Sequence, residues 1–268
     1  MASIVLDNIS VTFPVYGASS RSLKNTLIAS TTGGRVMTDV KERVSIQALT
    51  DFSLQVNHGE RVALIGHNGS GKSTLLRVLN GIYEPQVGRV VVEGRSVPLF
   101  DMSLGMDPES TGYENILLRG MYLGFSRTEI RAKVHEIADF SGLGSFIDMP
   151  TKTYSTGMAA RLAFAISTAI EPDILLIDEG IGAGDAAFLE KAKKRLEDLI
   201  ERTRILILAS HDEQIVRRWC SKAVLFETGR CVNVGSVEEI LAQYRTGPAP
   251  QEPVITDVTE ANAAHVNA

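Results

Sequence analysis

The stretch RVALIGHNGSGKSTLLRVLNG, residues 61–81, narrows the possible folds of this chain more than any other. Within it, Gly66-His67-Asn68-Gly69-Ser70-Gly71-Lys72-Ser73 fits the pattern G-x-x-x-x-G-K-[ST]. The flanks carry as much weight as the pattern: an apolar strand leads in, and a helix from Ser73 to Asn80, stopped at Gly81, leads out. Glycines let the backbone turn tightly and point successive N–H groups inward, where they and the helix N-terminus attract phosphate oxygens. Lys72 adds a mobile positive charge suited to β and γ phosphates, and the Ser73 hydroxyl suits Mg²⁺. Gly66 to Thr74 are therefore assigned to binding a nucleoside triphosphate, ATP. The competing reading, a glycine-rich turn with a solvated lysine, leaves the strand and helix on either side without a purpose.

A binding loop alone does not imply hydrolysis, which needs a metal carboxylate and a group acting on water. ILLIDEG, 106 positions after Lys72, supplies both at the end of an apolar strand. Asp178 is placed to hold Mg²⁺ and Glu179 to orient or deprotonate the attacking water. His211, in ILILASHDEQ, closes a second apolar run. A lone histidine at a strand end is more often a packing residue than a functional one, and its surroundings decide.

The rest of the chain reads as alternating strands and helices. Residues 2–13 alternate apolar and polar, as a half-buried strand does, and a similar set begins near Ile46. GRVVVEGRSVPLF gives two strands split at Glu93-Gly94. The segment 14–46 between the first strands reads as an insertion or mobile loop, with a short helix at 23–29. Helical pattern dominates from Ser110 to Ala169, with a capping box at Ser126 to Glu129. Strand DILLID, a charged amphipathic helix and strand RILILAS follow, and Ser236 to Glu239 cap a last helix ending near Tyr244. Such alternation predicts a parallel sheet covered on both faces. The proline-bearing tail 247–268 is expected to be disordered.

Composition excludes several function classes. A net charge of −5 with no basic block gives no pull toward nucleic acid. Two cysteines, Cys220 and Cys231, without CxxC spacing indicate neither a zinc site nor a disulfide framework, and a reducing cytoplasm fits best. The N-terminus lacks a signal-peptide pattern and no apolar run approaches the 18 or so residues of a membrane span. A membrane role would require a partner to hold the chain there.

TYSTGMAARLAFA, between the phosphate loop and the carboxylates, resembles the signature region of the ATP-binding-cassette family. Tyr154-Ser155-Thr156-Gly157-Met158 stands where that family usually carries LSGGQ, with Ser155 23 residues ahead of Asp178. Only Ser155 and Gly157 agree literally, but Tyr-Ser-[Ser or Thr]-Gly-Met is similar to the variant in ATPases that export O-antigen, capsule, teichoic acid or galactan chains. ALTDFSL, YENILLRGMYLGFS and EGIGAGDAAFLEKA resemble the same branch, so the likeness runs from about Ser3 to Tyr244.

The resemblance implies a P-loop NTPase (RecA-like) α/β core with a parallel sheet, an N-terminal antiparallel β subdomain and an inserted helical signature subdomain at about 108–157. Residues 1–246 would form one nucleotide-binding domain. His211 matches the histidine that contacts the γ phosphate, and Asp185 the aspartate of the D-loop, a position from which it could equally cap the next helix. Phe13 matches the aromatic that stacks on adenine, Tyr16 is nearly as well placed, and Phe13 could instead be core. The resemblance further implies a homodimer in which Ser155 and Gly157 face the partner's nucleotide. It implies docking of the helical segment 110–152 on a separate membrane permease, at the cytoplasmic face of the membrane, and a lipid-linked glycan as cargo. One departure stands out: many cassettes carry a glutamine near the place of Met102, yet residues 87–153 contain none. Another transporter's ATPase and a soluble cassette ATPase are the rival readings; the YSTGM variant, and the absence of a second cassette or long coiled coil, count against them.

Overall fold

The structure, a computed structural model, describes residues 1–15, 36–38, 44–178 and 186–246. Tyr16, the helix expected at 23–29, Glu179, Asp185 and the tail from 247 lie outside the described residues.

Two sheets organise the chain. In the first, β1 (Ser3–Val15) runs antiparallel between β3 (Val44–Asn57) and β5 (Val87–Glu93), with β2 (Val36–Thr38) on the far edge of β3. Ile4 and Leu6 point inward while Val5 and Asp7 face out, the alternation read from the sequence. Asn8, at φ 46°, sits where the register shifts between Leu6 and Ile9, and the extra residue brings Ile9 and Val11 back to full burial.

The second sheet has the order β10-β9-β4-β8-β7-β6. Strands β4 (Arg61–Ile65), β6 (Ser96–Pro98), β7 (Ile174–Ile177), β8 (Ile205–Ala209) and β9 (Lys222–Glu227) are parallel. β10 (Arg230–Ser236) is antiparallel to β9, forming an edge hairpin that the sequence reading did not mark. The cause is local: the turn Thr228-Gly229 has positive φ at both residues, and so short a connection joins neighbouring strands only as a hairpin. A second unforeseen feature is the switch at Glu93-Gly94, where β5 ends in one sheet and β6 begins in the other.

Strand periodicity sorts the core. Val62, Leu64, Leu176, Ile207 and Phe226 face the antiparallel sheet and helix α1 (Lys72–Leu79). Their neighbours Ala63, Ile65, Leu175, Leu206 and Leu225 face α5 (Ala186–Arg202), α6 (Glu213–Trp219) and α7 (Val237–Thr246). Burial on both faces explains why these strands read as unbroken apolar runs.

Helices α2 (Gly112–Tyr122), α3 (Arg127–Ser141) and α4 (Thr156–Ser167) enclose a third core built on Ile116, Ile130, Ile137 and Leu162. The capping box at Ser126 and Glu129 is present, and an equivalent one that the sequence reading passed over opens α2 at Thr111 and Glu114. Each such cap stabilises its helix by about 1 kcal/mol.

Candidate nucleotide site

β4 ends at Ile65, the chain turns through Gly66 to Gly71, and α1 begins at Lys72. The turn is a tightly constrained backbone. A Cβ on Gly66 would lie 2.4 Å from the Phe226 carbonyl oxygen, and one on Gly71, at φ 116°, would lie 2.9 Å from that of Ala48. Gly69, at φ 75°, meets nothing, so its requirement is conformational. Ser70 N–H donates to the His67 carbonyl at 3.0 Å, closing the loop on itself.

The loop lines a cavity of about 350 Å³ with Asn68 to Thr74, into which Ile46 and Ala48 project from β3 and Asp178 from the end of β7. The phosphate loop and the first carboxylate, far apart in sequence, thus meet around one space. Lys72 is 7% exposed and donates from Nζ to the carbonyls of Gly66 at 2.5 Å and His67 at 3.1 Å. Its ammonium thereby spans the loop at the level where phosphates would lie. The Ser73 hydroxyl and the Asp178 carboxylate are hard oxygen donors in the same cavity, a donor set that fits Mg²⁺.

His211 follows β8 and reaches this loop: its Nε2 lies 2.9 Å from Asn68 Oδ1. Next to it, Asp212 caps α6, accepting from the N–H groups of Gln214 at 2.8 Å and Ile215 at 3.3 Å. That cap fixes the turn from which His211 projects.

Ser155, Gly157 and Phe13 do not line this cavity. Ser155 is the N-cap of α4, its Oγ accepting from Met158 N–H at 3.2 Å, and it is exposed; Gly157 meets only that oxygen, at 3.9 Å. This helix start therefore presents free space outward. Phe13 pairs with Ile46 across β1 and β3, and its ring packs edge-on against Tyr83 with centroids 5.0 Å apart. Ile46, not Phe13, is the residue of that pair that lines the cavity.

The sequence reading missed one contributor. Gly229, in the β9–β10 turn, donates from its N–H to the Ser70 carbonyl at 2.7 Å and accepts from Thr50 N–H at 2.9 Å. It bolts the phosphate loop to β3. The only sequence signal was Thr-Gly-Arg between two apolar runs, which marks a turn but not its partner.

A phosphate-loop turn leaving a central parallel strand, with a carboxylate on a nearby strand and a histidine on the strand between, defines a P-loop nucleotide-binding protein. Residues 49–182 match the ABC transporter family. The chain is 44% identical over 229 residues to an O-antigen export system ATP-binding protein of Yersinia enterocolitica, covering 85% of this chain and 96% of that protein. It belongs to the ABC transporter family. It is also 37% identical over 204 residues to a teichoic acids export ATP-binding protein of Lactococcus lactis subsp. lactis, covering 76% of this chain but only 44% of that longer relative. Among solved structures it is similar in fold to a dimeric ATP-binding cassette in a post-hydrolysis state bound to ADP and Pi, with TM-score 0.62, 21% identity, and coverage of 87% of this chain and 98% of that one.

Proposed function

We propose that this chain binds and hydrolyses ATP as the motor subunit of an exporter that moves a lipid-linked polysaccharide of the O-antigen or teichoic acid type through a separate membrane permease. The observation that carries this reading is the match along nearly the whole length of the Yersinia enterocolitica O-antigen export relative, in a chain whose phosphate-loop cavity brings Lys72, Ser73 and Asp178 together. The working unit is a single nucleotide-binding domain over 1–246, with a helical subdomain at about 108–157.

In this reading Lys72 exchanges its loop carbonyls for β and γ phosphate oxygens, and backbone N–H groups of the loop and of α1 complete the cradle. Ser73 and Asp178 would hold Mg²⁺, which would supply positive charge against the phosphates. Glu179 orients water for in-line attack and takes its proton. His211, positioned near the loop by its contact with Asn68, exchanges that partner for a γ phosphate oxygen and donates to it as charge develops. The exposed start of α4 with Ser155 and Gly157 serves the nucleotide of a second copy, using its free N–H groups and the positive end of the helix. Asp185 is assigned to nucleotide binding, with capping of the following helix as its other role, and Phe13, with Tyr16 as the other candidate, meets adenine.

Among the described residues no helix is long and apolar enough to cross a membrane, so the permease supplies attachment at the cytoplasmic face. The helical subdomain supports docking: Leu118, Tyr122, Phe146 and Met149 there are exposed apolar side chains, 38–51% accessible. Depleting the protein in its own cell and profiling lipid-linked glycans by mass spectrometry tests the reading. Accumulation of one finished lipid-linked polymer inside the cell is expected; an unchanged glycan pool would sink the export assignment and leave the ATPase.

A further inference from the structure

Arg119, on α2, heads the fully buried side chains by volume and is 1% exposed. Its Nε and Nη2 donate to Ser167 Oγ at 3.3 and 2.9 Å, and its Nη1 donates to the Leu104 carbonyl. Among the described residues it forms no ion pair, and burial draws its pKa down to about 10. A buried guanidinium without a counter-charge is costly, and a leucine or methionine would fill such a core without that cost. What the donors hold must account for the charge.

They hold the loop 101–107 against the end of the signature helix α4. Ser167 passes the contact on, donating to the Ala163 carbonyl at 2.9 Å. The same loop is fastened to α2 at two further points. A Cβ on Gly105 would lie 2.6 Å from the Tyr122 ring, and fully buried Asn115 accepts from Asp107 N–H at 2.7 Å while donating to its carbonyl at 2.9 Å. At its other end the loop is tied to the phosphate-loop helix. Arg77, in the last turn of α1, donates to Asp101 through Nε at 2.8 Å and Nη2 at 3.2 Å. Asp101, at φ 47°, accepts from Leu104 N–H at 3.0 Å, so the residue gripped by Arg77 and the one gripped by Arg119 share a single turn.

Met102, at the place where the sequence lacks the expected glutamine, packs on the cluster of Phe164, Phe188 and Ala192. The loop's polar links to its surroundings are made by its neighbours instead.

We infer that Arg77, Asp101, Arg119 and Ser167 form a strut through which the position of the phosphate-loop helix sets that of the signature helix, with Arg119 as a positioning residue for ATP hydrolysis. The inference rests on the ATPase reading above. Movement of α1 on nucleotide binding pulls Asp101, the turn carries Leu104, and the rigid guanidinium fork delivers the displacement to Ser167.

The test uses the full-length chain with three changes: Asp101→Asn, Arg119→Lys, and the exchange Arg77→Asp with Asp101→Arg. Asp101 is partly exposed in its ion pair, so its variant is expected to fold. Asp101→Asn and Arg119→Lys should each lower kcat about tenfold while the Kd for Mg²⁺–AMP-PNP stays within about twofold, and the exchange should recover most of the turnover. Unchanged kcat in both single variants, a matching loss of AMP-PNP affinity, or an exchange that restores nothing would overturn the strut. Amide exchange gives a readout independent of turnover. AMP-PNP should slow exchange in both α1 and α2 of the wild type, but only in α1 of Asp101→Asn; equal protection of α2 in both proteins would refute coupling through Asp101. A wild type that binds AMP-PNP without hydrolysing ATP would sink the proposed function and the role of Arg119 in hydrolysis, leaving the coupling of α1 to α2 to the amide-exchange result; one that does not bind it at all would remove both.

Discussion

His211 and Asn68 are separated by 143 positions, yet the imidazole Nε2 sits 2.9 Å from the Asn68 amide oxygen. An amide oxygen only accepts, so Nε2 carries the proton and points into the phosphate loop as a donor. His211→Ala should lower kcat by about 10²-fold to 10³-fold with little change in ATP affinity, the pattern of a lost transition-state donor. Asn68→Ala removes only the holder and should cost less than about tenfold. Steady-state ATPase kinetics on both variants decide; equal losses would mean that Asn68 contacts phosphate itself.

Lys72 and Glu179 should separate binding from chemistry. Lys72→Ala deletes a charge-assisted contact to phosphate and should weaken ATP binding by about 10-fold to 100-fold. Glu179→Gln should keep binding and lower turnover by about 10²-fold to 10⁴-fold, leaving a closed ATP-bound dimer visible by size-exclusion chromatography. Hydrolysis by Glu179→Gln at the wild-type rate would disprove the assigned role.

Gly229 tests whether the phosphate loop depends on a residue outside its motif. At φ 80°, with the Ala48 carbonyl oxygen 2.5 Å from any added Cβ, Gly229→Ala must move β3 or the turn. A stability loss of about 2–3 kcal/mol is expected by chemical denaturation, with weaker ATP binding because Ser70 loses its anchor. A variant as stable as the wild type would show that the turn yields without strain.

Cys220 makes an alkaline prediction. Burial pushes its thiol from an ordinary 9.0 up to about 12. Between those values the unfolded chain has released a proton that the folded chain keeps, so stability present below pH 9 is lost as pH rises toward 12, by about 4 kcal/mol at most. Buried Arg119, drawn down to about 10, acts in the opposite sense in the alkaline range, which is why the comparison must be differential. Cys220→Ala should show a shallower loss of stability than the wild type in denaturation at pH 9 to 11; parallel curves would exclude the thiol as the cause.

Much of this architecture was legible because strands buried on both faces and amphipathic helices leave different periods in the sequence. The phosphate loop was legible because glycine positions and a following helix are local requirements. What escaped depended on tertiary placement. Arg119 in YENILLRGMYLG reads as a solvated arginine until α4 and the loop at Leu104 close over it. Asn115 likewise looks like an ordinary helix residue until Asp107 and Thr151 converge on its amide. The edge strand β10 was not marked at all, and its direction is set by a two-residue turn rather than by its own side chains. That Ile46, the cross-strand partner of Phe13, lines the phosphate-loop cavity depends on strand register and leaves no mark in the local sequence.

The strand orders also set when the protein becomes competent during synthesis. β1 lies between β3 and β5, so its sheet waits for Glu93, the partner of Ser3, to emerge. β4 lies between β8 and β9, and Ser70 is anchored by Gly229, so the phosphate loop lacks its neighbours until most of the chain has been translated. At about 5–20 residues per second the interval between the motif and its last anchor is on the order of 10–30 s. A chain that stops before Gly229 carries the whole nucleotide motif but lacks the N–H that anchors Ser70, so the motif is complete in sequence well before its loop is fastened.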